Sequence, residues 1–253
     1  MAHIPVGLQT YTVREDLTRD FVGTLRRVAE IGYEGVEGLP GGGLSPREYR
    51  QLLEQLNLKT PGGHVPLEQL ESDLNRVVEL SQEIGARFVT IPYLAEPRRR
   101  SADDWRRLGE IMTRIGERLA QHSLVLCYHN HSFEFQRFEG KYGLDLLYES
   151  SDPRYLQAEL DTYWIQHGGE DPAEYIRKYA GRVPLLHIKD MAADGDFAEI
   201  GEGVLDWPRI FDAAEAAGVQ WYLVEQDRCS RRTPLEAIAL SLDNLRKMGK
   251  VAR

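Results

Sequence analysis

The chain has 253 residues, 42% of them hydrophobic and 28% charged, an ordinary globular mixture long enough to bury a substantial core. Forty acidic residues against 31 basic ones leave a net charge of −9, a field that repels a nucleic-acid backbone. No apolar run reaches the roughly eighteen residues of a membrane span, and "MAHIPVGLQTYTVRED" does not read as a secretory signal, so none is expected. Two cysteines, Cys127 and Cys229, are too few for a disulfide framework, so a reduced cytoplasmic protein is expected.

Short β-rich runs alternate with amphipathic segments of helix length. In chain order the expected strands are "PVGLQTY", "YEGVE", "LKTPGGHV", "RFVTIPY", "LVLCYHN", "LQAELDT", "VPLLHIKD" and "WYLVEQD". Three helix starts share one design: Ser45-Pro46-Arg47-Glu48, Asp171-Pro172-Ala173-Glu174 and Thr233-Pro234-Leu235-Glu236. Each offers a capping side chain, a proline whose missing N–H costs nothing, and a glutamate able to reach back. Ser101-Ala102-Asp103-Asp104 is a weaker version. Gly32, Gly85 and Gly218 close helices just before a strand, where glycine takes the left-handed conformation without a Cβ clash. Gly41-Gly42-Gly43 reads as a flexible loop and Arg98-Arg99-Arg100 as a solvated turn.

Eight β-then-α units over this length are the rhythm of an α/β fold, the (β/α)8 TIM barrel, as a single domain over residues 1–253. A doubly wound sheet would favour a glycine-rich phosphate turn after the first strand, and "TYTVRED" stands there instead. In a barrel the chemistry gathers at the C-terminal strand ends. Those ends carry Gln9 and Tyr11, Glu37, His64, His129 and His131 followed by Glu134, then Asp161, His187 with Lys189 and Asp190, and Glu225. Several like charges on one rim repel unless a cation holds them. The set Glu134, Asp161, His187 and Glu225 is oxygen-rich and suits a hard divalent ion, manganese, magnesium or cobalt, better than structural zinc.

The motifs "YHNHSFEF", "ELDTYW", "LLHIKD" and "LVEQD", in that order, resemble the sugar phosphate isomerase/epimerase family with the xylose isomerase-like barrel. The nearest flavour is the subgroup with a tyrosine-histidine-x-histidine motif, which handles keto-sugars, keto-glycosides and inosose-like compounds. The resemblance implies one divalent metal ion, manganese ahead of magnesium, cobalt or zinc, held by Glu134, Asp161, His187 and Glu225. His129 or His131 remains the alternative on strand five. Trp164 stands where a nuclease branch resembling endonuclease four carries a histidine ligand, which argues against abasic-site cleavage. It could instead stack on a sugar ring or fill the core.

The expected chemistry is sugar isomerisation or epimerisation by proton transfer through a metal-stabilised enediolate, with Glu134 and Glu225 as acid and base. Gln9, His64, His129, Trp164 and Lys189 are the expected substrate contacts, with Lys189 polarising an oxygen and the histidines fixing hydroxyls. Arg228, Arg231 and Arg232 read as a solvated loop. The rivals are a lyase that dehydrates an inosose or cleaves a keto-glycoside, and a non-catalytic carbohydrate-binding barrel. The partner expected is a small sugar, with no nucleic acid and no membrane, and a homo-oligomer is left open.

Overall fold

Eight parallel strands follow one another along the chain: β1 Val6–Gln9, β2 Gly35–Glu37, β3 Gly62–His64, β4 Phe88–Ile91, β5 Val125–His129, β6 Leu156–Asp161, β7 Leu185–Ile188 and β8 Trp221–Val224. The computed structural model describes residues 3–251. Hydrogen-bonded neighbours run β2-β1-β8-β7-β6-β5-β4-β3, and each of these pairings is parallel. At the remaining seam Gly35 bridges to Lys59, and Gly38 N–H donates to Gly62 O at 3.1 Å. The sheet thus nearly closes on itself as a TIM barrel.

Eight principal helices clothe it: α1 Phe21–Ile31, α2 Pro46–Gln55, α3 Leu74–Ile84, α4 Ala102–Ala120, α5 Gly143–Glu149, α6 Pro172–Lys178, α7 Trp207–Ala217 and α8 Pro234–Lys247. The longest, α4, buries Trp105, Leu108, Met112, Ile115 and Leu119, a three-and-four spacing that keeps one stripe against the sheet. Capping boxes close α2 (Ser45 with Glu48) and α8 (Thr233 with Glu236), and Ser101 with Asp104 forms a full box rather than a weak one. At α6 the design is incomplete. Asp171 caps Ala173 and Glu174, but the Glu174 carboxylate turns to Arg177 and Arg209 instead of reaching back. Among the described residues no helix is long and apolar enough to cross a membrane.

Two expectations need correcting. The first strand ends at Gln9, not Tyr11, because the Gln9 side chain accepts from Tyr11 N–H at 3.0 Å and starts a 3-10 turn over Thr10–Val13. The arginine run is not free: Arg98 forks onto Glu71, Arg100 pairs with Glu96, and Arg99 lies 3.6 Å over the Phe133 ring. The loop after β8 is solvated as expected: Arg228, Arg231 and Arg232 are exposed, with Arg228 on Asp196 and Arg232 3.1 Å from Glu199. Both cysteines are free.

The inside of the barrel is layered. Phe88, Cys127, Leu185 and Leu223 form an apolar cluster of their own, with Val125 and Trp221 packed against it. Gly7 and Gly35 make room for this floor, since a Cβ on Gly35 would come within 2.8 Å of the Trp221 ring. Side chains alternate along a strand. Two residues further up, the same inward register therefore carries Thr90, His129, His187 and Glu225. The floor is greasy and the mouth is polar.

Candidate active site

Strand pairing puts the polar residues side by side. Asp161 is in register with His187, His129 with Glu159, and Gln9 with Glu37. His129, Asp161, His187 and Glu225 are all buried, and each offers one ligand atom, all within 4.8 Å of one another. The nitrogen His187 Nδ1 lies 2.9 Å from Glu225 Oε2. Lys189, fully buried, sets its ammonium 2.8 Å from Glu225, 3.0 Å from Asp161 and 2.6 Å from Asp227.

Beneath these groups sits a carboxylate that inspection of the last strand residues misses. Glu159 Oε1 lies 2.9 Å from His64 Nε2, 3.0 Å from His187 Nε2 and 3.3 Å from His129 Nδ1. Its other oxygen accepts from the Thr90 hydroxyl at 2.8 Å. Glu37 joins from the far side, 2.8 Å from His187 Nε2, and accepts from Gln9 Nε2 at 2.7 Å. The sequence signal was there: Glu159 is two residues before Asp161 on one strand and so shares its facing.

Burial and charge pull these groups in opposite directions. For Glu225 burial alone would raise the pKa, but Lys189 and His187 hold it well below the usual carboxylate range. Glu159 is likewise held low against burial, by His187, His129 and His64. Asp161 is pushed up to about 6 by burial, which the Lys189 charge only partly offsets. His187 is raised well above an ordinary imidazole because Glu159 and Glu225 overcome the cost of burial. His129 is lowered by burial and by the neighbouring His187.

Glu134 does not join the cluster. It falls in a 3-10 turn, Phe133–Phe135, where Oε1 accepts from the Tyr128 hydroxyl at 2.6 Å and Oε2 from His131 N–H at 2.8 Å. Tyr128 belongs to the outward register of β5, so the carboxylate is drawn to the back of that strand. The strand-five group beside Asp161, His187 and Glu225 is His129. Trp164 packs against His131, Tyr163 and Phe197, and Lys189 Nζ lies 5.5 Å from its ring. A cavity of about 230 Å³ opens above, walled by Tyr11, His64, Tyr93, His129, His131, Glu225 and Asp227.

The family model for the xylose isomerase-like TIM barrel matches residues 25–248. The chain belongs to that family. Among relatives, an inosose dehydratase from Clostridium tetani (strain Massachusetts / E88) is 23% identical over 252 residues, covering 83% of this chain and 84% of that protein. An inosose dehydratase from Geobacillus thermodenitrificans (strain NG80-2) is 27% identical over 146 residues, covering 50% of this chain and 48% of the other, so this match spans about half the length of that relative. Among solved structures, a sugar phosphate isomerase/epimerase from Parabacteroides distasonis ATCC 8503 superposes with a TM-score of 0.85 and 27% identity, covering 100% of this chain and 96% of the other.

Two imidazoles and two carboxylates converge here, where the sequence reading expected one imidazole and three carboxylates. Asp161 Oδ2 is buried without an aligned hydrogen-bond donor, although the Lys189 ammonium stands nearby. Such a set fits a divalent ion of borderline hardness. A carboxylate behind a ligating histidine fixes the ring orientation and typically contributes about 10–100-fold to metal affinity. Glu159 stands behind two of them. Glu159→Gln is accordingly expected to weaken manganese binding by about 10–100-fold, read by calorimetric titration with circular dichroism as the folding control. Unchanged affinity would remove Glu159 from this role.

Proposed function

We propose that this chain is a metal-dependent enzyme acting on a keto-sugar, and that it works as a lyase: it removes the proton next to the carbonyl and expels a β-substituent. The observation that carries this reading is that the two carboxylates lining the cavity, Glu225 and Asp227, both come from the end of β8, while Glu134 is held behind β5 by Tyr128 and His131. A two-carboxylate proton exchange from opposite faces lacks a member on the opposite wall. The resemblance to inosose dehydratases over 83% of the chain supports the same reaction class.

One divalent ion held by His129, Asp161, His187 and Glu225 would supply Lewis-acid charge to the substrate's carbonyl oxygen; manganese, cobalt and zinc all suit the donors. The chain's own residues do the rest. Glu225 takes the α-proton. The released electron pair becomes the new C=C bond as the C–O bond at the β-carbon breaks. His64, which lines the cavity and is gripped by Glu159, hands a proton to the departing oxygen. Lys189 holds a fixed positive charge beneath the reacting atoms, buried and compensated by three carboxylates.

The test is a panel of keto-sugars and inososes incubated with manganese in deuterated water. An unsaturated-carbonyl absorption is the expected result. Deuterium entering the sugar without that chromophore would favour isomerisation or epimerisation, the reading that the Parabacteroides isomerase/epimerase similarity supports. Binding with neither signal would leave a carbohydrate-binding barrel.

Cation uptake should also depend on pH. In the ion-free cluster His187 carries a proton, because Glu159 and Glu225 outweigh burial. Binding through the nitrogen facing Glu225 must expel that proton. Affinity for manganese is therefore expected to rise with pH through the neutral range, with up to one proton released. Titration calorimetry in two buffers of different ionisation enthalpy measures this, and no proton release would contradict it. Stability of the ion-free protein runs the other way. The His187 contribution is complete below an unfolded pKa of about 6.5 and is lost as pH climbs through the raised native value.

A further inference from the structure

The barrel has a second concavity at its other end. On the face where the strands begin, a cavity of about 360 Å³ opens between the last turns of α2 and α3 and the starts of β3, β4 and β8. That volume lies within the roughly 300–1,000 Å³ of small-molecule sites. Phe88 and Trp221 belong to the apolar floor inside the barrel and also line this space, so the floor of the upper chamber is the ceiling of the lower one. Leu58 and Pro61 extend the apolar wall. Phe88, Cys127, Leu185 and Leu223 are buried, whereas the Trp221 indole is only half-buried.

The charges around this cup are unbalanced. Arg50 and Glu54, one turn apart on α2, satisfy each other at 2.9 Å. Arg50 also packs against Gly85, the C-terminal cap of α3, where a cation offsets the helix dipole. Lys59 and Arg87 line the same cavity, and neither has a carboxylate partner among the described residues. Lys141, Lys178, Lys189, Lys247 and Lys250 each pair with one, so Lys59 is the exception in a chain of net charge −9. Arg87 lies 5.5 Å over the Phe88 ring and reaches Gln220 only at a long 3.4 Å. Gly62 is in register with Phe88, and the segments leading into β3 and β4 thus bring Lys59 and Arg87 to one rim. Two unpaired cations beside a half-open indole make one surface for negative charge and one for a flat apolar body.

We propose that this lower cup is a second ligand site, separate from the barrel mouth, and that it takes a phosphate monoester of a flat apolar ring. The ring lies against Trp221 and Pro61, and the phosphate is gripped between Lys59 and Arg87. Two free cations select a dianion over a monoanion, since each then keeps a counter-charge. The floor of Phe88 and Trp221 divides this site from the polar cluster above, so the proposal does not depend on the keto-sugar reading.

Phenyl phosphate is the probe, titrated by calorimetry into metal-free protein, with inorganic phosphate, phenol and benzoate as comparisons. One equivalent is expected to bind with a Kd of about 0.1–1 mM, in keeping with a ligand of its size. The comparison compounds lack the ring, the charge or the second negative charge, and each is expected to bind about tenfold more weakly or worse. Lys59→Glu and Arg87→Glu should each weaken phenyl phosphate by about tenfold or more. Both residues are exposed, so the melts of these variants are expected to stay near wild type. Binding that survives both reversals puts the anion elsewhere and overturns the site. Inorganic phosphate or benzoate binding as tightly as phenyl phosphate also overturns it, as does the absence of any binding at about 10 mM probe.

Discussion

Glu225→Gln is expected to lower turnover by roughly 10³-fold or more while leaving the fold intact. Glutamine keeps the shape of the side chain but cannot accept the α-proton, and loss of a positioned base alone typically costs about 10²–10⁴-fold. It also removes the negative charge that His187 Nδ1 and the Lys189 ammonium face at 2.9 and 2.8 Å. Manganese affinity should therefore fall in the same variant. Turnover of any active keto-sugar, metal titration and a thermal melt together check this. Near-normal turnover with an unchanged melt would remove Glu225 from the chemistry.

Asp190→Ala is expected to be the most damaging change to stability, by about 3–5 kcal/mol, because several buried donors lose their acceptor at once. The Asp190 carboxylate accepts from the N–H groups of Met191, Gly201, Gly203 and Leu205 and from the Trp207 indole at 2.8 Å. It thereby ties the whole loop between β7 and α7 to the residue after Lys189. Gly203 is part of the same knot, since a Cβ there would collide with that carboxylate. For a chain of this size the melting temperature should drop by about 10 °C or more. Asp190→Asn, which keeps one acceptor oxygen, should recover part of the loss. A melt within about a degree of wild type for the alanine variant would show that water replaces the carboxylate at little cost.

The barrel was legible because its signals are local and repeated. Most strands are short β-branched or apolar runs, most helices announce themselves with a capping side chain, and three of them close on glycine, Gly32, Gly85 and Gly218, with φ of 108°, 77° and 82°. Asp161, His187 and Glu225 were legible as a group because strand direction alone carries them to one rim. Glu134 misled because nothing in "HNHSFEF" says that the chain leaves the strand after His129 and winds into a 3-10 turn. Its partner, Tyr128, faces the helices, and that pairing exists only in three dimensions. Glu159 escaped because it sits one inward step below the strand end, where a carboxylate is affordable only when His64, His129 and His187 surround it. The glycine run was legible as permissive backbone, but the Phe21 ring that shapes it lies twenty residues earlier.

The floor of Phe88, Cys127, Leu185 and Leu223 under the polar layer also governs traffic. A barrel stoppered from below has a single doorway, so whatever enters by the loop face must leave by it. Under the lyase reading proposed above, the fragment nearer the threshold would depart first, and the deeper one would wait behind it.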